Sequence, residues 1–201
     1  ETRSHARIRE LAKRYGMSGG YVLGGHRIYV DGSHPEMSTP ECAQPYDVVK
    51  WERAGLEMMR RGADIVEQRE GRRVNLYKDN SDGRGSSWGA HENYLITNTL
   101  FRELVSPTRD PRAFYSLTDV QALWISFLIS RMIYTGSGKI VGERISAHPG
   151  FMISQRAEFF DYLTHHDTMV HRGIINTRDI SYVDDRYGKR LHVIIGDANM
   201  C

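Results

Sequence analysis

Cysteine is nearly absent from this chain: Cys42 and Cys201 are the only two in 201 residues. Two thiols make neither a disulfide framework nor a zinc site, and such usage fits a reducing cytoplasm. Long apolar runs are missing too. The best stretch, Val120 to Tyr134, falls short of the ~20 residues that a spanning helix needs and is broken by Arg131, so it reads as a buried helix and no membrane association is expected. Charge of one sign is not in excess. With 27 basic against 25 acidic residues the net charge is +2, and no global field argues for nucleic acid or a membrane surface as partner. The strongly charged opening, Glu1 to Tyr15, has no secretory pattern, and there is no repeat or low-complexity tract.

What is present is an ordinary globular composition, 40% hydrophobic and 26% charged, at a length that suits one domain with a sizeable core. Helical spacing marks three stretches: Ser4–Tyr15, Pro45–Gln68 and Leu117–Tyr134. The second carries Val48, Trp51, Gly55, Met59, Gly62 and Val66 on one stripe, with Pro45 at its entry, and its glycines suggest close packing on a sheet. Strands are expected at Tyr21–Leu23, Arg27–Asp31, Arg73–Tyr77, His91–Thr97, Phe151–Ser154, Gly173–Asn176 and Leu191–Ile195. Gly24, Gly25 and His26 form a turn, Lys78–Gly89 a polar glycine-bearing loop, and Ser106–Arg112, with two prolines, an exposed connection. Strands and helices do not alternate regularly, so the class is α+β rather than doubly wound.

The most informative stretch is Arg27 to Cys42, RIYVDGSHPEMSTPEC. Strand alternation puts Arg27, Tyr29 and Asp31 on one face and Ile28 and Val30 on the other, and Glu36 and Glu41 follow the turn at Gly32–Pro35. So many acids near one strand end resemble the wall of a cation or phosphate site. Further polar clusters lie at Asn80–Tyr94, Ser154–Glu158 and Asn176–Asp197. Magnesium prefers carboxylate oxygens and arginine forks match phosphate, so the set fits a phosphate-bearing ligand held through a hard cation. Taken alone, each residue has a plainer reading: Asp31 as a turn or cap acid, Tyr29 as a packed aromatic with a wet hydroxyl, Glu36 as a solvated loop acid. Cys42 reads as a small buried residue. His165-His166-Asp167 reads as solvated side chains pointing apart rather than a metal site.

A series of long motifs adds to this reading: residues 27–42 above, LYKDNSDGRGSSWGAHENYL at 76–95, TGSGK at 135–139, SQRAE at 154–158, RGIINTRD at 172–179 and RLHVIIGDAN at 190–199. In this order the chain resembles the Pup ligase and depupylase family, enzymes of glutamine-synthetase-like fold that act on the prokaryotic ubiquitin-like protein Pup. The resemblance implies a curved antiparallel sheet with packed helices, one partial catalytic domain over residues 1–201, ATP and Mg2+ as cofactors, and Pup and pupylated proteins as partners in the cytoplasm. The Asp31–Ser33 spacing, Gly173 (where the ligase pattern has proline) and Ala198 (where it has serine) resemble the depupylase and deamidase branch. Ser154–Glu158 leans toward the ligase.

Carried over residue by residue, the resemblance makes Asp31 the catalytic carboxylate, places Tyr29 and Glu36 at magnesium, and assigns Arg27 and Thr39 to ATP. Arg178 and Arg190 are implied in contacts to phosphate or a substrate carboxylate, and His91, Glu92 and His192 are secondary candidates. The expected activity is deamidation of the C-terminal glutamine of Pup and cleavage of the Pup–lysine isopeptide bond. The alternatives are a ligase working through a glutamyl phosphate, or a degenerate, non-catalytic homologue. Ile180–Asp184 departs from the family pattern, and no strand with the family's G-x-E-x-E glutamates precedes Arg27, so the chain reads as a partial or truncated member.

Overall fold

The computed structural model describes residues 20–21, 24–140, 150–180 and 185–199. The helix expected at 4–15, and positions 22, 23 and 181–184, lie outside them. The chain divides into two compact units, Glu1–Tyr77 and Lys78–Cys201.

In the first unit an antiparallel sheet runs β1 (Gly20–Tyr21), β2 (Arg27–Asp31), β3 (His34–Ser38), with β2 in the middle. Sequence reading missed β3, because Pro35 and a polar composition look like a turn. It is an edge strand, where a missing N–H costs nothing, and the two-residue link to β2 is made by Gly32 at φ 60, a conformation glycine supplies without strain. Helix α1 (Pro45–Glu70) begins on proline and ends on Gly71 in the left-handed conformation, whose N–H caps Glu67 O at 2.9 Å. It extends past the expected Gln68, and its exposed flank is laced by Glu57, Arg60, Arg61 and Asp64. Close packing on the sheet is realised at one point: Met37 sulfur occupies the place a Cβ on Gly55 would take. Beside it His26 Nε2 lies 2.8 Å from Trp51 O. Val48 and Val66 stay exposed and Gly62 faces open space, so the stripe as a whole is not a packed seam. The strand expected at 73–77 is absent; Tyr77 is 85% exposed and no ladder partner holds it.

In the second unit β4 (Ala90–Ile96) pairs antiparallel with β9 (Lys189–Gly196), β5 (Lys139–Ile140) with β6 (Phe151–Met152), and β7 (Phe160–His165) runs parallel to β8 (Arg172–Asn176). The antiparallel expectation thus holds for every pair except β7–β8. Two helices cover them. α2 (Asn98–Val105) was not foreseen; Thr97 caps it by accepting from Leu100 N–H. α3 (Asp119–Thr135) starts in a full capping box, Thr118 with Gln121. Ile125, Leu128 and Met132 on α3, Leu104 on α2, Ile175 on β8, and Leu191, Val193 and Ile195 on β9 make the core. The expectation of a buried helix holds for one face only: Leu123 is 74% and Tyr134 88% exposed. α3 packs one face only, and its overall apolarity hid that one-sidedness. Among the described residues no helix is long and apolar enough to cross a membrane.

Candidate active site

The β2–β3 hairpin assembles the acids. Its register sets Tyr29 opposite Glu36, Asp31 opposite His34 and Arg27 opposite Ser38, so Arg27, Tyr29, Asp31 and Glu36 share one face. Tyr29 donates its hydroxyl to Glu36 Oε1, and the Arg27 guanidinium lies 4.4 Å from the Tyr29 ring centroid, a cation–π contact. Partial burial, with Asp31 close by, raises the Glu36 carboxyl above its ordinary value. Burial and the bond to Glu36 push the Tyr29 phenol up to about 12. Two facing carboxylates, one held reluctantly as an anion, suit a hard cation, since magnesium is commonly held by one or two carboxylates plus water and phosphate oxygens. The phenol suits it less well: a group of that basicity, already donating to Glu36, orients the carboxylate. Asp31 is exposed, and Thr39 is half-buried immediately after β3. Among the described residues no three His, Cys, Asp or Glu side chains stand where they could hold a metal ion by themselves.

The second unit gathers a cationic group. His91 and His192 meet edge to face at 4.8 Å between centroids. Arg190, two residues before His192 on β9, donates to Asn93 Oδ1 at 2.9 Å and Ile180 O at 3.0 Å. Burial, then His91, Arg190 and Arg178, depress the His192 imidazole to about 3, so it is neutral, and its buried Nδ1 has no hydrogen-bond partner among the described residues. The Arg178 and Arg190 guanidiniums near the His192 ring suit an anionic ligand such as phosphate. Arg178 itself is exposed just past β8, its backbone N–H donating to Asn176 Oδ1 at 3.4 Å.

Glu92 parts from His91 by strand alternation. It turns to the helical side, where Arg131 grips it with both terminal guanidinium nitrogens, Nη2 at 2.6 Å and Nη1 at 2.9 Å, and Tyr94 donates to it at 2.5 Å. A carboxylate so engaged is a strut between β4 and α3. The His165–Asp167 reading needs a different correction: the two imidazoles do not point apart but stack at 4.6 Å, because the strand ends at His165 and the chain turns there. Cys42, read as buried, is half-buried, with Sγ 3.2 Å from Pro40 O.

Asn80 and Asp197, which the sequence placed only at the ends of polar clusters without a role of their own, knit four of the motifs together. Asp197 accepts from the backbone N–H groups of Ser137, Gln155 and Arg156 and from the hydroxyls of Ser137 and Ser154, at 2.9 to 3.3 Å. Asn80, 1% exposed, takes Ala198 N–H on Oδ1, gives Nδ2–H to Trp88 O, and donates its own N–H to Gln155 Oε1. Lys139 pairs with buried Glu158. The Arg156 guanidinium, 1% exposed, donates to the carbonyls of Ile194 and Gly196 and to Ser87 Oγ, and burial beside Arg172 lowers it to about 10. The available signal was the polar-small composition of segments ending strands, which suits buried hydrogen-bond nodes as well as ligand sites.

Comparison with known proteins gives these features a context. A family model described as Pup-ligase protein matches residues 2–201. The Pup deamidase/depupylase of Mycobacterium tuberculosis (strain CDC 1551 / Oshkosh) is 41% identical over 192 residues, which is 94% of this chain and 35% of that protein. Two solved structures superpose over 98% of the chain. The Pup ligase PafA in complex with ADP matches with TM-score 0.69 and 30% identity over 41% of its chain. The complex between Pup and its ligase PafA matches with TM-score 0.70 and 33% identity over 37% of its chain. The chain therefore spans little more than a third of the proteins it matches. With a family model running along nearly all of its length and relatives alike in both sequence and structure, the chain belongs to the Pup-ligase protein family and has its glutamine-synthetase-like fold.

Proposed function

We propose that this chain is part of an ATP- and Mg2+-dependent cytoplasmic Pup deamidase and depupylase, hydrolysing the side-chain amide of a C-terminal glutamine of Pup and the isopeptide bond between Pup and a lysine of a pupylated protein. The observation that carries the reading is the β2–β3 hairpin: an exposed Asp31 carboxylate on the same face as Glu36, with Tyr29 fixing Glu36. Asp31 attacks the glutamyl carbonyl or orients the water that does. Glu36 would hold magnesium, and Tyr29 serves that site by orienting Glu36. Magnesium, when bound with its nucleotide, would supply the positive charge that stabilises the oxyanion developing at the carbonyl. Arg27 and Thr39 serve the nucleotide, and Arg178, Arg190, His91 and His192 serve anionic groups of nucleotide or substrate. The ADP in the ligase neighbour supports a nucleotide as cofactor.

Gly173 favours hydrolase over ligase. It is buried in β8, and a Cβ there would lie 2.2 Å from His165 N and 2.8 Å from Thr164 C, so the proline of the ligase pattern does not fit this strand spacing. The ligase is the second reading, favoured by the SQRAE segment and by the identity of the two structural neighbours. In the full-length parent, release of Pup from a conjugate tests the first reading, and Asp31→Asn abolishes that release. Wild-type release in the variant refutes the role of Asp31. Conjugation of glutamate-ended Pup to lysines with formation of ADP, in place of release, establishes the ligase. Failure of the parent to bind magnesium-ATP in calorimetry establishes a degenerate homologue.

A further inference from the structure

The strongest feature outside the proposed site is the turn joining β7 to β8, residues 165–171, where three imidazoles crowd together. The His165 ring stacks on His166 at 4.6 Å, meets His171 at 5.9 Å and lies 4.9 Å from the Tyr162 ring. On its other side Tyr162 carries Arg112, whose guanidinium sits 4.3 Å from the ring centroid and donates to the hydroxyl at 2.8 Å. The Asp167 carboxylate acts on the His165 ring and is engaged in accepting Met169 N–H at 2.7 Å. The turn is held by two devices. Asp167 N–H donates to His165 Nδ1 at 3.1 Å, which fixes the ring proton on Nε2. Asn176, 1% exposed, spreads its Nδ2 over the carbonyls of His165, His166 and Asp167, each at 3.3 Å, while its Oδ1 takes Arg178 N–H.

We propose that this turn is a pH-sensitive latch: with His165 neutral it is closed and holds Arg178 in place through Asn176, and protonation of His165 opens it. The chemistry is local. A proton arriving on Nδ1 replaces an acceptor by a donor, so the Asp167 N–H bond is lost and two N–H groups face each other. The new cation also stacks on one imidazole and faces another, and each resists sharing the charge. Burial and the two neighbouring histidines already hold the His165 ring below its ordinary value, with Asp167 working against them, so opening falls on the acid side of neutrality. Once the turn rearranges, the three carbonyls that anchor Asn176 move, and with them the Asn176 Oδ1 that accepts Arg178 N–H and the His165 O that accepts Thr177 N–H. Only the consequence for an anionic ligand at Arg178 rests on the function proposed above; the latch itself is a property of the turn.

Amide hydrogen exchange on the 201-residue chain tests the latch without any activity. Rates are taken at about pH 7.5 and about pH 5.5, across the usual histidine range, and expressed as protection factors so that intrinsic pH dependence cancels. Protection of Asp167 and Met169 amides is expected to fall at the lower pH by up to about tenfold, the ceiling set by one pH unit below the ordinary histidine value, while Ile174 and Ile175 in β8 hold theirs. His165→Gln keeps an oxygen able to accept from Asp167 N–H but carries no charge, and removes the fall. His171→Gln relieves repulsion on His165 and moves the midpoint of the fall to higher pH. Unchanged protection in the wild type overturns the latch. So does an equal fall in His165→Gln, or, if that variant does not fold, an unmoved midpoint in His171→Gln.

Discussion

His192 offers a quantitative test of the cationic group. It is 7% exposed, and its ring is depressed from the ordinary 6.5 to about 3, first by burial and then by His91, Arg190 and Arg178. In the unfolded chain the ring recovers the ordinary value, so between those two values the unfolded state binds a proton the native state refuses. A depressed folded-state value means stability that is full above 6.5 and is lost as pH falls through the window toward 3. Around pH 5, one and a half units into that window at about 1.4 kcal/mol per unit, the loss from this group is about 2 kcal/mol. Urea unfolding followed by tryptophan fluorescence, at about pH 7.5 and about pH 5, measures it against His192→Gln, which removes the titration. The wild type loses about 2 kcal/mol more than the variant on acidification. Equal losses refute the reasoning, as does an imidazole resonance of His192 that titrates near 6.5.

Two further substitutions probe features invisible to sequence. Gly173→Ala pushes a methyl into the β7 backbone and lowers stability by about 2 kcal/mol, the usual cost of forcing a packed backbone apart; thermal unfolding unchanged from the wild type shows that β7 and β8 have room to separate. Asp197→Ala strips the acceptor from five donors and costs about 3 kcal/mol, with Asp197→Asn, which keeps one oxygen, near half of that; equal midpoints of urea unfolding for the two variants show that the carboxylate is not what joins the segments.

The legible parts of the fold were those in which local chemistry and tertiary environment agree. Proline at entry and glycine at exit bracket α1, and β2, β8 and β9 combine β-branched runs with turn residues at their ends. α2 went unread because NTLFRELV is short and follows a strand without a break; only the threonine cap marks its start. β7 was unread because FDYLTH borrows its burial from β8 and, through Leu163, from the shared core, and shows no clean alternation of its own. The exposed far face of α3 has the opposite cause, since a sequence apolar on every side does not tell which side the sheet takes.

The site follows the same division, and one residue shows where the line falls. Glu36 was legible as an acid near a strand end, but its partner was not: naming Tyr29 requires the β2–β3 register, and that register depends on a strand containing Pro35, which local propensity argues against. Once β3 is granted as an edge strand, the two-residue link at Gly32 and Ser33 leaves one pairing, and it sets Tyr29 across from Glu36. A slip by one residue would send Glu36 to the other face, away from Asp31 and Tyr29. The turn at Gly32 therefore decides whether the two acids form a pair, although it carries no functional group itself. A non-glycine residue there, strained at φ 60, weakens the register before it touches any chemistry. Loss of the magnesium response proposed for the hairpin on such a substitution, with Asp31, Glu36 and Tyr29 all intact, is the signature of a site specified by backbone geometry as much as by the side chains that name it.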